Sequence, residues 1–267
     1  MKVWTIATNT FGSFLRNKLI ILFVILVACV VLLMMTPMLG MKAMTTATNT
    51  GQMQTLVLTE VSAIMSLVSG FGSLLAAWAS ADAVAGEMKS GTILAVMARP
   101  VRRWEFLLGK FLGVMLMMAI YVALTFGLSY LLAWMGGERI QSTPWVLIAY
   151  PLVRYAVYAA IAMFLVTFMH PVVSFGIIAV VSVLAEMVTP TAHTSSILRP
   201  WLRTPLWVIL PSTTLLSEDR FLSITQAALK QAGWLDHVIT LAYGLDYALV
   251  FLLLAMWSFH YRSLKRD

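Results

Sequence analysis

Six stretches of the chain are apolar for long enough to cross a bilayer core: about 19–36, 55–80, 111–135, 145–169, 171–189 and 238–260. Spanning the hydrocarbon takes about 20 apolar residues in a helix. Backbone groups in lipid have no water to bond, so uninterrupted runs of this length are expected as helices. The fourth and fifth runs meet at His170-Pro171. Proline removes a backbone donor and disfavours helix in the residue before it, which predicts a tight turn between two spans.

The residues before the first run follow another pattern. Trp4, Ala7, Phe11, Phe14 and Leu15 recur at helical spacing, while Thr5, Asn9, Ser13 and Arg16 fall elsewhere. That spacing predicts an amphipathic helix lying on the membrane surface. Because the first run follows this preamble and exceeds a typical signal-peptide core, it is expected to remain as a span. Segment 190–237 is broken by Pro190, Pro200, Pro205 and Pro211, and its apolar piece Leu206–Leu210 is too short to span. A partly re-entrant or interfacial outer layer is expected there. Ser217-Glu218-Asp219 and the pair Lys230 and Gly233 bound a short helix over about 218–232. No sequence repeat or soluble domain interrupts the pattern, so 1–267 reads as one all-α transmembrane domain.

Composition agrees with the run lengths. Of 267 residues, 61% are hydrophobic and 11% charged, with a mean hydropathy of +0.90. A soluble domain carries about 25% charged residues. The net charge of +7 does not indicate nucleic acid, because the basic residues are scattered between apolar runs. Topology accounts for them better. With a cytoplasmic N-terminus, eleven Lys and Arg fall on inner segments and six on outer ones, leaving Arg154 inside a span. Both termini are therefore expected in the cytoplasm, in a multi-pass protein of the plasma (inner) membrane. The lone cysteine, Cys29, forms no intramolecular disulfide.

Catalytic motifs are not found. Gly86 to Gly91 followed by Thr92 lacks the lysine of a nucleotide-binding loop, and neither a zinc-protease pattern nor a nucleophile elbow occurs. The chain itself is expected not to hydrolyse ATP. His170, His193, His237 and His260 fall near span boundaries and read as interfacial residues. No catalytic residue and no metal site is assigned.

Between the second and third runs a cytoplasmic loop is expected over 81–110, and its most specific stretch runs from Gly86 to Lys110. Thr92 to Ala98 is a short apolar helix candidate stopped by Arg99-Pro100 and flanked by charge. Such an element suits the groove of another protein; an interfacial hairpin serving only the bilayer boundary fits the residues equally well. The order Glu87, Gly91-Thr92, a short apolar run, Arg99-Pro100, a basic pair, Glu105 and Leu107-Leu108-Gly109-Lys110 resembles the hallmark loop of ATP-binding-cassette type-2 permeases, especially the branch associated with multicopper-enzyme maturation. The resemblance extends through six spans, an interfacial N-terminal helix and a broken outer segment before the last span. It implies that Gly91 to Ala98, with Thr92, Leu94 and Val96, form a coupling helix on a separate ATPase, with Glu87 and Lys110 flanking it at the span ends. It also implies an exporter built from two permease copies, identical or related, with ATP and Mg bound by the partner ATPase and no cofactor in this chain. Lys89 departs from the pattern, standing where a second acidic residue is common. The competing readings are a secondary carrier driven by an ion gradient, which often shows repeats and matched discontinuous spans, and a non-transporting scaffold.

Four ionisable residues fall inside predicted spans: Glu60, Arg154, Glu186 and Asp246. Each is costly in hydrocarbon unless it faces a partner or water. Arg154 and Asp246 lie at similar depth from the outer ends of their spans, so an intramembrane ion pair is expected, with Glu186 as the alternative partner. Met34, Met35, Met38, Met41 and Met44 crowd the outer end of the first span. Thioethers suit cuprous ion, but Pro37 and Gly40 are expected to interrupt the helix that would align them. With 18 methionines in the chain, adaptable packing is the favoured use.

Overall fold

The computed structural model describes residues 2–44, 50–90, 102–135, 144–188, 216 and 234–261. Every regular element among them is an α-helix: α1 Lys2–Arg16, α2 Lys18–Met44, α3 Thr50–Ser90, α4 Arg103–Met135, α5 Pro144–Val166, α6 Pro171–Val188 and α7 Trp234–Tyr261. The six apolar stretches fall on α2 to α7. Among the described residues, four windows are long and apolar enough to cross a membrane: Ile64–Glu87, Arg103–Leu128, Ile148–Val166 and Trp234–Tyr261. Pro171–Leu184 is a shorter apolar helix. The chain is a helical protein with several membrane-spanning elements.

Helix α5 is the axis around which α3, α4, α6 and α7 pack. Its sequence explains this position. Ala156, Ala159, Ala160 and Ala162 are all buried, and small residues let backbones approach closely where lipid supplies no hydrophobic drive between helices. Tyr155 fills the gap towards Tyr121 of α4, with ring centroids 6.0 Å apart. Tyr121 donates in turn to the Val68 carbonyl of α3 at 2.8 Å. Gly72 is required beneath these rings, since a side chain there would collide with both.

Cross-contacts fix the directions. Tyr150 hydrogen-bonds His237 at 3.0 Å, and Thr167 hydrogen-bonds Ser258 at 2.7 Å, so α5 and α7 run parallel. The α5–α6 turn lies at the expected place. Met169 N–H donates to the Leu165 carbonyl and Ser174 N–H to the His170 carbonyl, with Pro171 opening α6 where a missing donor costs nothing.

Two expectations are corrected. Helix α2 continues through Pro37 and Gly40 to Met44; proline is tolerated in membrane helices because neighbouring groups can meet the freed carbonyls. The stretch 81–110, expected as a loop, is helical over 81–90 and 103–110. Buried Ala81, Ala83, Val84 and Ala85 keep α3 packed past residue 80, so the expected span 55–80 is only part of a 41-residue helix.

The side of α1 that packs on the protein is set by α4. The helix is set at 66° to α2 and buries Ala7, Thr10 and Phe14 against the protein, while Trp4 and Leu15 are exposed. The cause lies on α4. A Cβ at Gly109 would meet Ile6 at 2.7 Å, and one at Gly113 would meet Thr10 at 2.7 Å and the Ala7 carbonyl at 2.8 Å. Two glycines four residues apart open a groove that seats the side of α1 carrying Ile6, Ala7 and Thr10. Gly113→Val should therefore lift α1 from α4 at a cost of about 1–3 kcal/mol, read as faster amide exchange over residues 2–16 in nanodiscs. The expected helix 218–232 and most of segment 190–237 lie outside the described residues. Leu216 is buried, packed towards Gly244 of α7.

Candidate functional site

The ends of α3 and α4 flank residues 91–101, and the structure ties both ends down. Glu87 Oε1 of α3 accepts from the Lys110 ammonium of α4. Lys110 is buried, its side chain 7% exposed, whereas that of Glu87 is 25% exposed. The ammonium also lies 5.7 Å from the centroid of the Phe106 ring, a cation–π distance. An antiparallel pair of helices thus carries its ionic link near the ends that flank residues 91–101.

The start of α4 is secured independently. Glu105 Oε2 accepts from the Arg102 amide at 2.8 Å, an N-terminal cap in which an acid three residues on satisfies an otherwise orphan donor. The Arg103 guanidinium donates to the last-turn carbonyls of α7, Phe259 at 3.1 Å and His260 at 2.8 Å. Phe106 stacks on Phe259 with centroids 6.1 Å apart and an interplanar angle of 18°. On the other side α1 docks against Gly109 and Gly113. The start of α4 is therefore linked to α1, α3 and α7 together.

Glu87 and Lys110, expected as separate flanking residues, are brought into direct contact. Gly91, Thr92, Leu94, Val96, Arg99 and Pro100 lie outside the described residues. Arg154 is buried within the bundle and engages other groups. Asp246 stands on the exposed side of α7. The two share a level, since Gly244 packs against Val153, but no ion pair between them is recorded. Glu186 is on α6 and Glu60 on α3; their side chains lie outside the described set. Among the described residues no three His, Cys, Asp or Glu side chains gather into a metal-holding cluster. Sequence reasoning passed over Arg103 as a cap for α7 and the Gly109/Gly113 groove. The four-residue glycine spacing was the available signal for the groove; a cap reaching a helix end 156 residues away has none.

Comparison with known proteins agrees with the resemblance drawn from the loop. The family model described as ABC-2 family transporter protein matches residues 4–264. A probable ABC transporter permease protein NosY from Pseudomonas aeruginosa is 33% identical over 126 residues, covering 47% of this chain and 43% of that protein. Another, from Stutzerimonas stutzeri, is 32% identical over 127 residues with the same coverage. The matched region thus spans less than half the length of either relative. With nearly every residue inside the family match, the chain belongs to the ABC-2 family of transporter proteins.

Proposed function

We propose that the chain is the membrane-spanning permease subunit of an ATP-driven exporter in the plasma membrane, with six spans, both termini cytoplasmic, and a second permease copy beside it. ATP and Mg belong to a separate ATPase subunit, and this chain contributes no group to hydrolysis. The observation that carries the reading is the Glu87–Lys110 link across the roots of 91–101. An interfacial hairpin has no need of a buried ionic tie between its supporting helices. A coupling element does, because force applied at Leu94 and Val96 must tilt α3 and α4 as one body. From there Arg103 carries the displacement to α7, and packing of α3 and α4 carries it to α5. The segment is the input and the helices around α5 are the output.

Orientation is the part most simply tested. The eleven-to-six distribution of basic residues supports a cytoplasmic coupling face. Reporter fusions after Asp267 and within 86–110 should both read cytoplasmic. An extracytoplasmic signal from either overturns the six-span arrangement.

A further inference from the structure

Helix α7 is the least buried candidate span, with 17% of its apolar window buried against 44–67% in the others. Half-way along its 28 residues, Asp246 is exposed on the side away from α5. At 100° per residue, Tyr243 and Tyr247 stand on one flank of Asp246, continued by Thr240 and Asp236 towards the helix start. Leu245 and Leu249, both exposed, stand on the other flank. The two tyrosine rings are 5.0 Å apart. Arg154, at the same level, is buried within the bundle, so among the described residues the carboxylate is the charge presented on this side of α7.

A helix face carrying a carboxylate at mid-span is not a lipid face, because ionisable groups at that depth turn to protein or to water. We infer that this flank of α7 lines a water-filled path between two copies of the chain, and that Asp246 with Tyr243 and Tyr247 recognises a cationic group on the transported substrate. The proposal rests on the permease reading above and adds the substrate's charge to it. The carboxylate supplies attraction and the ring faces supply cation–π contacts; an anionic substrate gains from neither. A two-fold axis sets the same stripe of the second copy opposite, doubling the acidic lining of the path.

Cysteine substitution tests both halves in the reconstituted permease–ATPase complex on a Cys29→Ser background. Asp246→Cys and Tyr243→Cys should react with a water-soluble cationic methanethiosulfonate about tenfold or more faster than Leu245→Cys at the same depth. Tyr243→Cys should prefer the cationic over the anionic reagent, and adding Asp246→Asn should remove that preference. A bifunctional thiol reagent should join two Asp246→Cys chains. Equal, slow labelling at all three positions places the face in lipid and overturns the proposal. So does protection released only by cleavage within 190–233, which makes this chain's own segment the cover. ATPase retention in the same preparation is read separately, so loss of the partner defeats the permease reading, whereas slow labelling with the partner retained defeats this inference alone.

Discussion

Lys110→Ala is expected to destabilise the protein by about 3 kcal/mol and to uncouple ATP hydrolysis from transport. Removing one member of a buried ion pair typically costs 3–5 kcal/mol, because the remaining charge keeps its desolvation penalty without its partner. The lower end applies here, since Glu87 retains a quarter of its side-chain exposure and water can reach it. Lys110→Met, which keeps the aliphatic stem against Phe106, should recover packing but not coupling. Charge exchange, Glu87→Lys with Lys110→Glu, should restore part of both. The checks are thermal unfolding in nanodiscs and the ratio of ATP hydrolysed to substrate moved. Additive losses in the exchanged pair would show that the two residues act separately.

Leu94→Asp should leave the chain in the membrane but weaken ATPase association by about 2–4 kcal/mol, a loss on the order of thirty- to a thousand-fold, the range for a buried apolar anchor at an interface. Leu94 occupies the middle of the short apolar run between two charged flanks, so a carboxylate there meets a desolvated groove. Val96→Asp should act similarly. Lys89→Ala, outside the run, should change association little. Quantitative pull-down of the ATPase by the tagged permease reads all three. Unchanged association and turnover in Leu94→Asp would favour the interfacial-hairpin reading of the segment between α3 and α4.

Local signals carried much of the fold. The His170-Pro171 boundary was legible because proline chemistry acts on its immediate neighbours. The existence of α1 was legible from its period, yet its buried face was not. Its spacing marks an apolar side, but Gly109 and Gly113 on a distant helix seat the side that carries Ile6, Ala7 and Thr10. The length of α3 was hidden because an apolar run ends where charge gathers, at Asp82, Glu87 and Lys89, whereas the helix continues where Ala81, Ala83, Val84 and Ala85 find neighbours. At the candidate site, the loop pattern singled out Glu87 and Lys110, but their contact depends on how two helices come together across 23 residues. Depth along a helix was likewise readable for Arg154 and Asp246. Rotation about the helix axis was not, because it is set by what packs on the other side.

The central claim is that this chain is the membrane half of an ATP-driven machine, and one measurement addresses it directly: purification of the intact complex in lipid, followed by ATP hydrolysis and transport assays in the same proteoliposomes. The account predicts a co-purifying ATPase subunit, vanadate-sensitive hydrolysis, and transport that proceeds with ATP in the absence of any ion gradient. A chain that purifies without an ATPase and moves substrate only when an ion gradient is imposed would contradict it.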